Sequence, residues 1–480
     1  VSTPLYTARL RADGAEHRYS SVAVSADGSV VVAGTYGEDG NGDNSAVYVF
    51  VRPSDGWRDA TQTAKLTASD AKDGDILGSS VAVSANGGTL AAGTPTDEDI
   101  ALGPGAVYLY ERPMVGWVDA IETAKLTASD GQDGDRFGRS VALSSDGSTL
   151  AAGAPYNDAG GDRLGAVYVY ERPAGGWTTA IEDANLTSSD GKNDELLGIS
   201  VALSSDGGTL AAGADWKDPG GDKLGSVYLY ERPANGWATT KEVAMLTASD
   251  GASGDRLGAS VALNADGDTL AAGAPGYDAG GDDHGAVYVY LRQDGSWTST
   301  SDYNARLTGS DSENDDWLGF SVALSADGGT LVSGALYHDA GGDDRGAAYL
   351  YERPGDGWAT ATEDAKLTAC DGDDDDNLGR SAGIDSDGAT LAAGAPYNDA
   401  GGTDRGAAYI YQRPATGWLG NAIFTAKLTA SDGEDEDYLG WSVALSTDGN
   451  TLAVGAPYED GAGSKRGAVY VYECPADGQR

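Results

Sequence analysis

Carboxylates recur at three positions of this sequence with nearly constant spacing. The first column lies in a recurrent Ser-Asp step and comprises Asp70, Asp130, Asp190, Asp250, Asp311, Asp371 and Asp432. The second column precedes a short apolar segment and comprises Asp75, Asp135, Glu195, Asp255, Asp316, Asp376 and Asp437. The third column follows the next apolar segment and comprises Asp39, Glu98, Asp158, Asp218, Asp278, Asp339, Asp399 and Asp460. Because these two apolar segments are predicted to be neighbouring strands, we expect the second and third columns to meet.

Carboxylates that are brought together need a cation, a proton or generous solvation. Calcium is the natural cation, since it accepts carboxylate and carbonyl oxygens from flexible loops, and three histidines and two cysteines are too few for zinc or copper sites. The predicted calcium ligands are Asp75, Asp135, Asp158, Asp255, Asp278, Asp316, Asp339, Asp376, Asp399, Asp437 and Asp460. Two alternatives stay open: turn formation by aspartate before glycine, which suits the first column best, and solvation of a salt-adapted surface.

A repeat of about 60 residues positions these carboxylates. The leucine of an Ala-Lys-Leu tripeptide, or of a near copy, marks it at Leu10, Leu66, Leu126, Leu186, Leu246, Leu307, Leu367 and Leu428. Eight units therefore cover residues 1–480, and we expect them to form a single domain.

Each unit contains four short strand signals bounded by Gly, Asp and Pro. In the third unit they are residues 140–144, 149–155, 165–172 and 183–189, and the first two are joined by a Ser-Asp-Gly hairpin signal. Four strands repeated eight times predict an all-β, eight-bladed β-propeller of four-stranded antiparallel blades. The chain opens with a spare strand at 7–10, and its last unit lacks an outer strand, so we expect the N-terminal strand to complete the last blade.

The net charge of −44, from 75 acidic and 31 basic residues, disfavours nucleic acid and anionic lipid as partners. No apolar run is long enough for a membrane helix, so no membrane insertion is expected. Most of the acid falls in the loops between second and third strands and in the loops that lead from one blade to the next. In a meander these two loop classes share one face, which we call the acidic face.

Trp216, Trp317 and Trp441 break the repeat pattern in or beside loops of the acidic face. They are candidates for stacking on a glycan or anchoring a partner protein, with packing between blades as the alternative. The remaining tryptophans recur before the fourth strand and are predicted to be structural: Trp57, Trp117, Trp177, Trp237, Trp297, Trp358 and Trp418.

The segment 136–155 contains Phe137-Gly138 and Gly153-Ala154-Pro155 and resembles the FG-GAP repeat, the blade unit of the integrin α-subunit propeller and of many surface proteins. This resemblance covers all eight units and implies an extracellular or cell-surface location. Two departures stand out. Integrin-type propellers have seven blades, and their calcium loop lies between strands 1 and 2, where this chain has only a short hairpin. The family's calcium site is therefore not expected at Asp146 or Asp206.

We expect a non-enzymatic protein used for adhesion, that is, for binding a protein or glycan. The histidines His17, His284 and His338 occupy different blades and are predicted to be solvated, and the acids repeat in every blade, whereas a catalytic pair breaks symmetry. A hydrolase is the weakest alternative. A structural subunit of a filament or wall, which assembles with itself, is the stronger one, and Cys474 could pair with another segment or chain. The sequon at 185–187 makes Asn185 a candidate glycosylation site, provided that it faces solvent.

Overall fold

The structure is a computed structural model that describes residues 7–12, 18–36, 45–72, 75–95, 103–158, 162–217, 223–278, 282–339, 341–399, 401–459 and 467–473. All regular secondary structure in these ranges is β-strand, arranged in eight sheets. We number the blades 1 to 8 from the one that contains residues 18–67, and the strands of each blade from the centre outwards. No helix in these ranges is long and apolar enough to span a membrane.

The strands occupy equivalent positions in every blade. The first strands are Arg18–Val24, Ser80–Val83, Ser140–Leu143, Val201–Leu203, Ser260–Leu263, Ser321–Leu324, Ser381–Ile384 and Ser442–Leu445. The second strands are Val30–Tyr36, Thr89–Thr94, Thr149–Ala154, Thr209–Ala214, Thr269–Ala274, Thr330–Ala335, Thr390–Ala395 and Thr451–Ala456. The third strands are Val47–Val51, Ala106–Glu111, Ala166–Glu171, Ser226–Glu231, Ala286–Leu291, Ala347–Glu352, Ala407–Gln412 and Ala468–Glu473. The fourth strands are Ala64–Thr67, Ala124–Thr127, Ala184–Leu186, Ala244–Leu246, Ala305–Thr308, Ala365–Thr368, Ala426–Leu428 and, for blade 8, Ala8–Arg11.

The N-terminal strand closes the ring, as predicted. Ala8–Arg11 pairs antiparallel with the third strand of blade 8, with Ala8 opposite Val471 and Leu10 opposite Val469. The strands of this blade therefore come from both ends of the chain, so blade 8 cannot form until the two ends meet.

A cycle of backbone hydrogen bonds confirms the closure at the other face. The 1–2 hairpin of each blade donates one N–H to the hairpin carbonyl of the next blade, and Thr447 of blade 8 donates to Ala26 of blade 1 at 3.0 Å. The cycle runs through Ala26, Ala85, Ser145, Ser205, Ala265, Ala326, Ser386 and Thr447. The first strands contact one another around the ring and line the central channel.

The hydrophobic core lies between blades rather than within them. It consists of eight clusters, each shared by two consecutive blades, and one of them joins blade 8 to blade 1. The second strands are wholly buried, as in Thr149–Ala154, whereas the first strands are half-buried along the channel, as in Ser140–Leu143. Every blade therefore depends on its neighbours for its burial.

The two recurrent glycines explain the repeat motif. Gly153 of blade 3 packs against Gly198 of blade 4, and a Cβ added at Gly153 would lie 2.0 Å from the carbonyl oxygen of Gly198. Gly198 itself has φ of +91°, a conformation that favours glycine. Beside this contact, Ser140 donates its hydroxyl to the same carbonyl at 2.8 Å. The motif is thus an interface between blades.

Short fifth segments cover several outer edges. They come from the 3–4 connection of one blade and pair parallel with the fourth strand of the preceding blade. These segments are Ala60–Thr61, Ala120–Ile121, Ala180–Ile181, Ala361–Thr362 and Gly420–Ile423. They protect edges that would otherwise be open to pairing with another chain.

Candidate functional site

The second column is built into the turns that precede the first strands. Each carboxylate accepts the backbone N–H of the residue three positions earlier, as in Gln132 to Asp135 at 2.8 Å and Ala252 to Asp255 at 2.8 Å. Asp255 and Asp376 are at most 1% exposed. Burial raises the pKa of each of these two carboxyls to about 6, with hydrogen bonds opposing the shift. Each of these groups is thus an acid held in a place that disfavours its charge.

The second-column carboxylates contact the residues that come one position before the third column in the sequence. Asn157 donates to Asp135 at 2.8 Å, Asn398 donates to Asp376 at 2.6 Å, and Lys217 pairs with Glu195. The third-column residues Asp158 and Asp399 lie one residue further on and are exposed. The expected direct meeting of the two columns is therefore corrected to a contact one residue earlier.

The third column closes the loops between second and third strands. Asp158 accepts the backbone N–H of Arg163 at 2.7 Å, and Asp278, Asp339 and Asp399 make the equivalent bond. All four are exposed. They remain near enough to influence the second column. Burial is the main cause that raises the pKa of Asp135 and of Asp255, and the charges of Asp158 and Asp278, respectively, raise it further. Asp460 lies outside the described residues.

The fit of these carboxylates to calcium is partial. One oxygen, Oδ1, of Asp255, Asp316 and Asp376 is buried and has no hydrogen-bond partner among the described residues. Such an oxygen can accept a cation or a water molecule. No group of three or more His, Cys, Asp or Glu side chains in the described ranges is arranged to hold a metal ion. Calcium at the second column therefore stays a prediction that would need backbone carbonyls or solvent to complete its shell.

The first column ties each inter-blade loop to the outer half of its blade. Asp371 accepts the Tyr409 hydroxyl at 3.2 Å and pairs with Lys427 at 2.8 Å. Asp130 accepts Tyr168 at 2.6 Å, and the amide of Asn185 takes the lysine's place at 3.0 Å. This third-strand tyrosine and the fourth-strand lysine were not predicted from the sequence, although the recurrent Ala-Lys-Leu tripeptide carried the signal.

Asn185 is half-buried and its amide nitrogen is engaged by Asp130, so glycosylation at this position stays a prediction. The hairpin aspartates match their prediction as turn formers. Asp146 accepts the Ser144 hydroxyl at 2.8 Å and the Ser148 N–H at 2.9 Å.

His338 is buried, contrary to the expectation of a solvated side chain. Its Nδ1 lies 2.8 Å from Asp316, and its Nε2 faces the Lys366 ammonium, so it occupies the place that Asn157 and Asn398 take in other blades. A base needs a nucleophile at its second nitrogen, and here a lysine occupies that side. His284 is half-buried beside Asn314, and His17 lies outside the described residues.

All three candidate tryptophans are half-buried on the acidic face. The ammonium of Lys223 lies 3.9 Å from the Trp216 ring centroid, and both line a cavity of about 570 Å³ together with Arg163 and Asp194. The same cavity reaches Ser253 in the loop leading to blade 5. Trp216 thus stands at a concave site shared by three blades.

Trp317 and Trp441 lie on blades 6 and 8. Trp317 packs edge-on against Tyr337 of its own blade, with ring centroids 5.2 Å apart. Trp441 packs against Tyr438, and the guanidinium of Arg380 from blade 7 lies 3.8 Å from its centroid. Packing between blades is therefore observed for Trp441, while part of each ring stays accessible.

The acidic face is also polarised from side to side. One loop position, left-handed in all five blades, carries Arg163 and Lys223 in blades 3 and 4 but Asp283, Asp344 and Asp404 in blades 5 to 7. Burial, together with neighbouring acids, raises the pKa of each of these three aspartates. The cavity beside Trp216 lies on the basic side.

Comparison with protein families matches the FG-GAP repeat at residues 60–110, 121–170, 181–230, 240–290, 302–351, 361–411 and 423–472. Among solved structures, the Dos1 propeller is similar, with a TM-score of 0.59, 11% identity, and coverage of 98% of this chain and 94% of that one. Sqt1 of Chaetomium thermophilum has a TM-score of 0.59, 15% identity and coverage of 98% of each chain. Sqt1 bound to the N-terminus of the ribosomal protein L10 has a TM-score of 0.56, 14% identity and coverage of 98% and 99%. At these identities the likeness shows the propeller fold. None of the curated proteins compared matches this chain.

Proposed function

The chain belongs to the FG-GAP repeat family, and we propose that it is a non-enzymatic binding module of the cell surface or extracellular space. Its acidic face holds a protein or glycan partner in adhesion. The cavity of about 570 Å³ beside Trp216 carries this proposal. Concave sites that combine an aromatic face with a few charged groups are the usual form of ligand sites.

The break in symmetry supports a binding role for this cavity. The aromatic position is Trp216 in blade 4 but Tyr156 and Gly276 in the blades on either side. Residues that only support the fold repeat, as the structural tryptophans do: Trp177 donates its indole N–H to Gly147 and Trp237 donates to Gly207, each at 3.1 Å within one blade. A side chain that departs from the repeat and stays accessible is free to serve a ligand. The Sqt1 complex supports the proposal further, because that propeller was solved with a peptide segment bound.

Calcium is proposed as an ion of the acidic face, at the buried second-column oxygens of blades 5 to 7. When bound, it would neutralise carboxylates whose burial disfavours their charge. The residues that would hold it are Asp255, Asp316 and Asp376 with neighbouring carbonyls.

A structural subunit of a surface assembly is the second candidate. Met114 and Val115 at the 3–4 connection of blade 2 are 107% and 84% exposed, and Leu419 and Ile423 of blade 7 are 72% and 75% exposed. Exposed apolar side chains of this kind favour contact between copies. Cys370 is an exposed free thiol, and Cys474 lies outside the described residues.

Binding to glycan and protein arrays, followed by titration of the best ligand, tests the proposal. The Trp216→Ala variant should lose at least tenfold in affinity with an unchanged melting temperature, because Trp216 is accessible and outside the core. Val118→Ala, an exposed apolar residue on the opposite face, is the control and should bind normally. A ligand held equally by both variants would place the site elsewhere. Concentration-dependent self-association without any ligand would favour the assembly role.

A further inference from the structure

The mouth of the central channel carries two arginines and no acidic residue at seven equivalent positions, although it opens on the acidic face. The mouth positions are the residues immediately before the serine that begins or precedes each first strand. In blades 2 to 8 they are Ser79, Arg139, Ile199, Ala259, Phe320, Arg380 and Trp441. None of these seven is acidic, and two are arginines. Blades 3 and 7 lie opposite each other in a ring of eight, so Arg139 and Arg380 face each other across the mouth.

Aromatic rings contact Arg380, and within the described ranges no carboxylate pairs with it. Its Cζ lies 3.8 Å from the Trp441 ring centroid and 6.0 Å from the Phe320 centroid. Among the described residues its guanidinium forms neither an ion pair nor a side-chain hydrogen bond. Burial lowers its pKa, and the nearby Tyr397 and Tyr337 hydroxyls partly offset that effect. The guanidinium N–H donors of Arg380 are thus held in place by the ring contacts and have no side-chain acceptor among the described residues.

We propose that the channel mouth binds the carboxylate of an acidic sugar, with Arg380 as the anion partner and Trp441 and Phe320 as its apolar flank. This rests on the proposed binding function of the acidic face and names the ligand's chemistry. The planar guanidinium fork matches a carboxylate in two parallel hydrogen bonds. Aromatic faces beside it suit the C–H surface of a pyranose ring. A polyanion would be repelled by the net charge of −44, so a single carboxylate on an otherwise neutral body fits best.

Blade 3 supplies an internal control. Arg139 holds the equivalent position, but its neighbours in the mouth are Ser79 and Ile199 instead of aromatic rings. It is exposed, and the described residues provide no ion pair for it. If charge alone attracts the ligand, both arginines matter equally. If the aromatic rings beside the arginine are required for binding, only Arg380 contributes to affinity.

The experiment titrates the protein with glucuronate, its methyl ester and glucose, following tryptophan fluorescence and saturation-transfer NMR. We expect glucuronate to bind at least tenfold more tightly than the ester or glucose, since a charge-assisted bidentate pair is worth about that factor. Arg380→Gln should lose at least tenfold in affinity for glucuronate, Arg380→Lys should lose a smaller part, and Arg139→Gln should stay within about twofold of the wild type.

Four outcomes overturn the inference. Equal binding of glucuronate and its methyl ester shows that the carboxylate is not recognised, and this comparison holds even if Arg380→Gln fails to fold. Preference for a peptide with a free C-terminal carboxylate over every sugar acid refutes the saccharide class. Absence of any carboxylate binding refutes the site. A partner that binds Arg380→Gln normally but is lost in Trp216→Ala would refute this inference and retain the proposed function.

Discussion

The replacement of Asp255 by Asn removes one buried charge with little change of shape. The carboxyl of Asp255 is 1% exposed and accepts the Ala252 N–H, and its Oδ1 has no hydrogen-bond partner in the part of the chain that the structure describes. Its pKa is raised to about 6 from an ordinary value of 3.8, first by burial and then by the charges of Asp278 and Asp250. The asparagine keeps an acceptor for the Ala252 N–H. Without metal, the variant should therefore be more stable than the wild type at pH 7.

The magnitude follows from linkage between protonation and folding. The folded protein binds this proton more tightly than the unfolded chain does, so the stabilisation from protonation is fully present below about pH 4 and is lost as the pH rises through about 6. Two pH units at about 1.4 kcal/mol each give about 3 kcal/mol at pH 7. A chain of this length has an unfolding entropy of about 1 kcal/mol per kelvin, so Asp255→Asn should raise the melting temperature by about 3 °C. The gain should vanish near pH 4.

Thermal unfolding between pH 4 and 8, in EDTA and in calcium, measures this effect. Asp206→Asn is the control, because the Ser204 hydroxyl and the Gly208 N–H lower the pKa of that hairpin carboxyl. The ionised Asp206 carboxylate therefore stabilises the folded protein at neutral pH, and this contribution is lost as the pH falls below the ordinary carboxyl pKa. Asp206→Asn should thus have a lower melting temperature than the wild type at pH 7. If calcium binds the second column, it should raise the melting temperature of the wild type. It should raise the melting temperature of the triple variant Asp255→Asn, Asp316→Asn, Asp376→Asn by a smaller amount. A destabilised Asp255→Asn at pH 7 in EDTA would refute the reasoning, and identical melting in EDTA and calcium would refute the metal proposal.

Two further predictions concern the ring itself. Gly153→Ala should destabilise by about 1–3 kcal/mol or more, because the new Cβ would meet the Gly198 carbonyl; Gly175→Ala, with open space around it, should be neutral in the same melting assay, and equal losses would contradict the glycine contact. Leu10→Ala removes a fully buried side chain of the closing strand and should cost about 2–5 kcal/mol. Hydrogen exchange should then accelerate first in blade 8, whereas uniform acceleration around the ring would contradict the role of this strand as the latch.

The repeat made most of the fold predictable. Eight copies of one strand pattern predicted the blade, and the pairing of Leu10 with Val469 confirms the predicted closure. The hairpin role of Asp146 also followed from the sequence, because a turn former needs only its own backbone.

The partners of the acidic columns were not predictable in the same way. A register of one residue decides whether Asn157 or Asp158 points at Asp135, and strand spacing alone does not resolve one residue. His338 was placed in solvent because a lone histidine in a variable loop carries no signal of burial. The structure instead puts it in the pocket between Asp316 and Lys366.

The sequence by itself determined the blade, the number of blades and the face on which acid accumulates, because these properties repeat and depend on local turns and strands. Only the tertiary structure decided that Arg380, Phe320 and Trp441 converge from three blades at the channel mouth and that Arg163 and Trp216 share a cavity. Such contacts join residues of different blades, tens of positions apart in the chain. Ring closure and the packing of neighbouring blades bring these residues together, and no local sequence pattern indicates that they lie close in space.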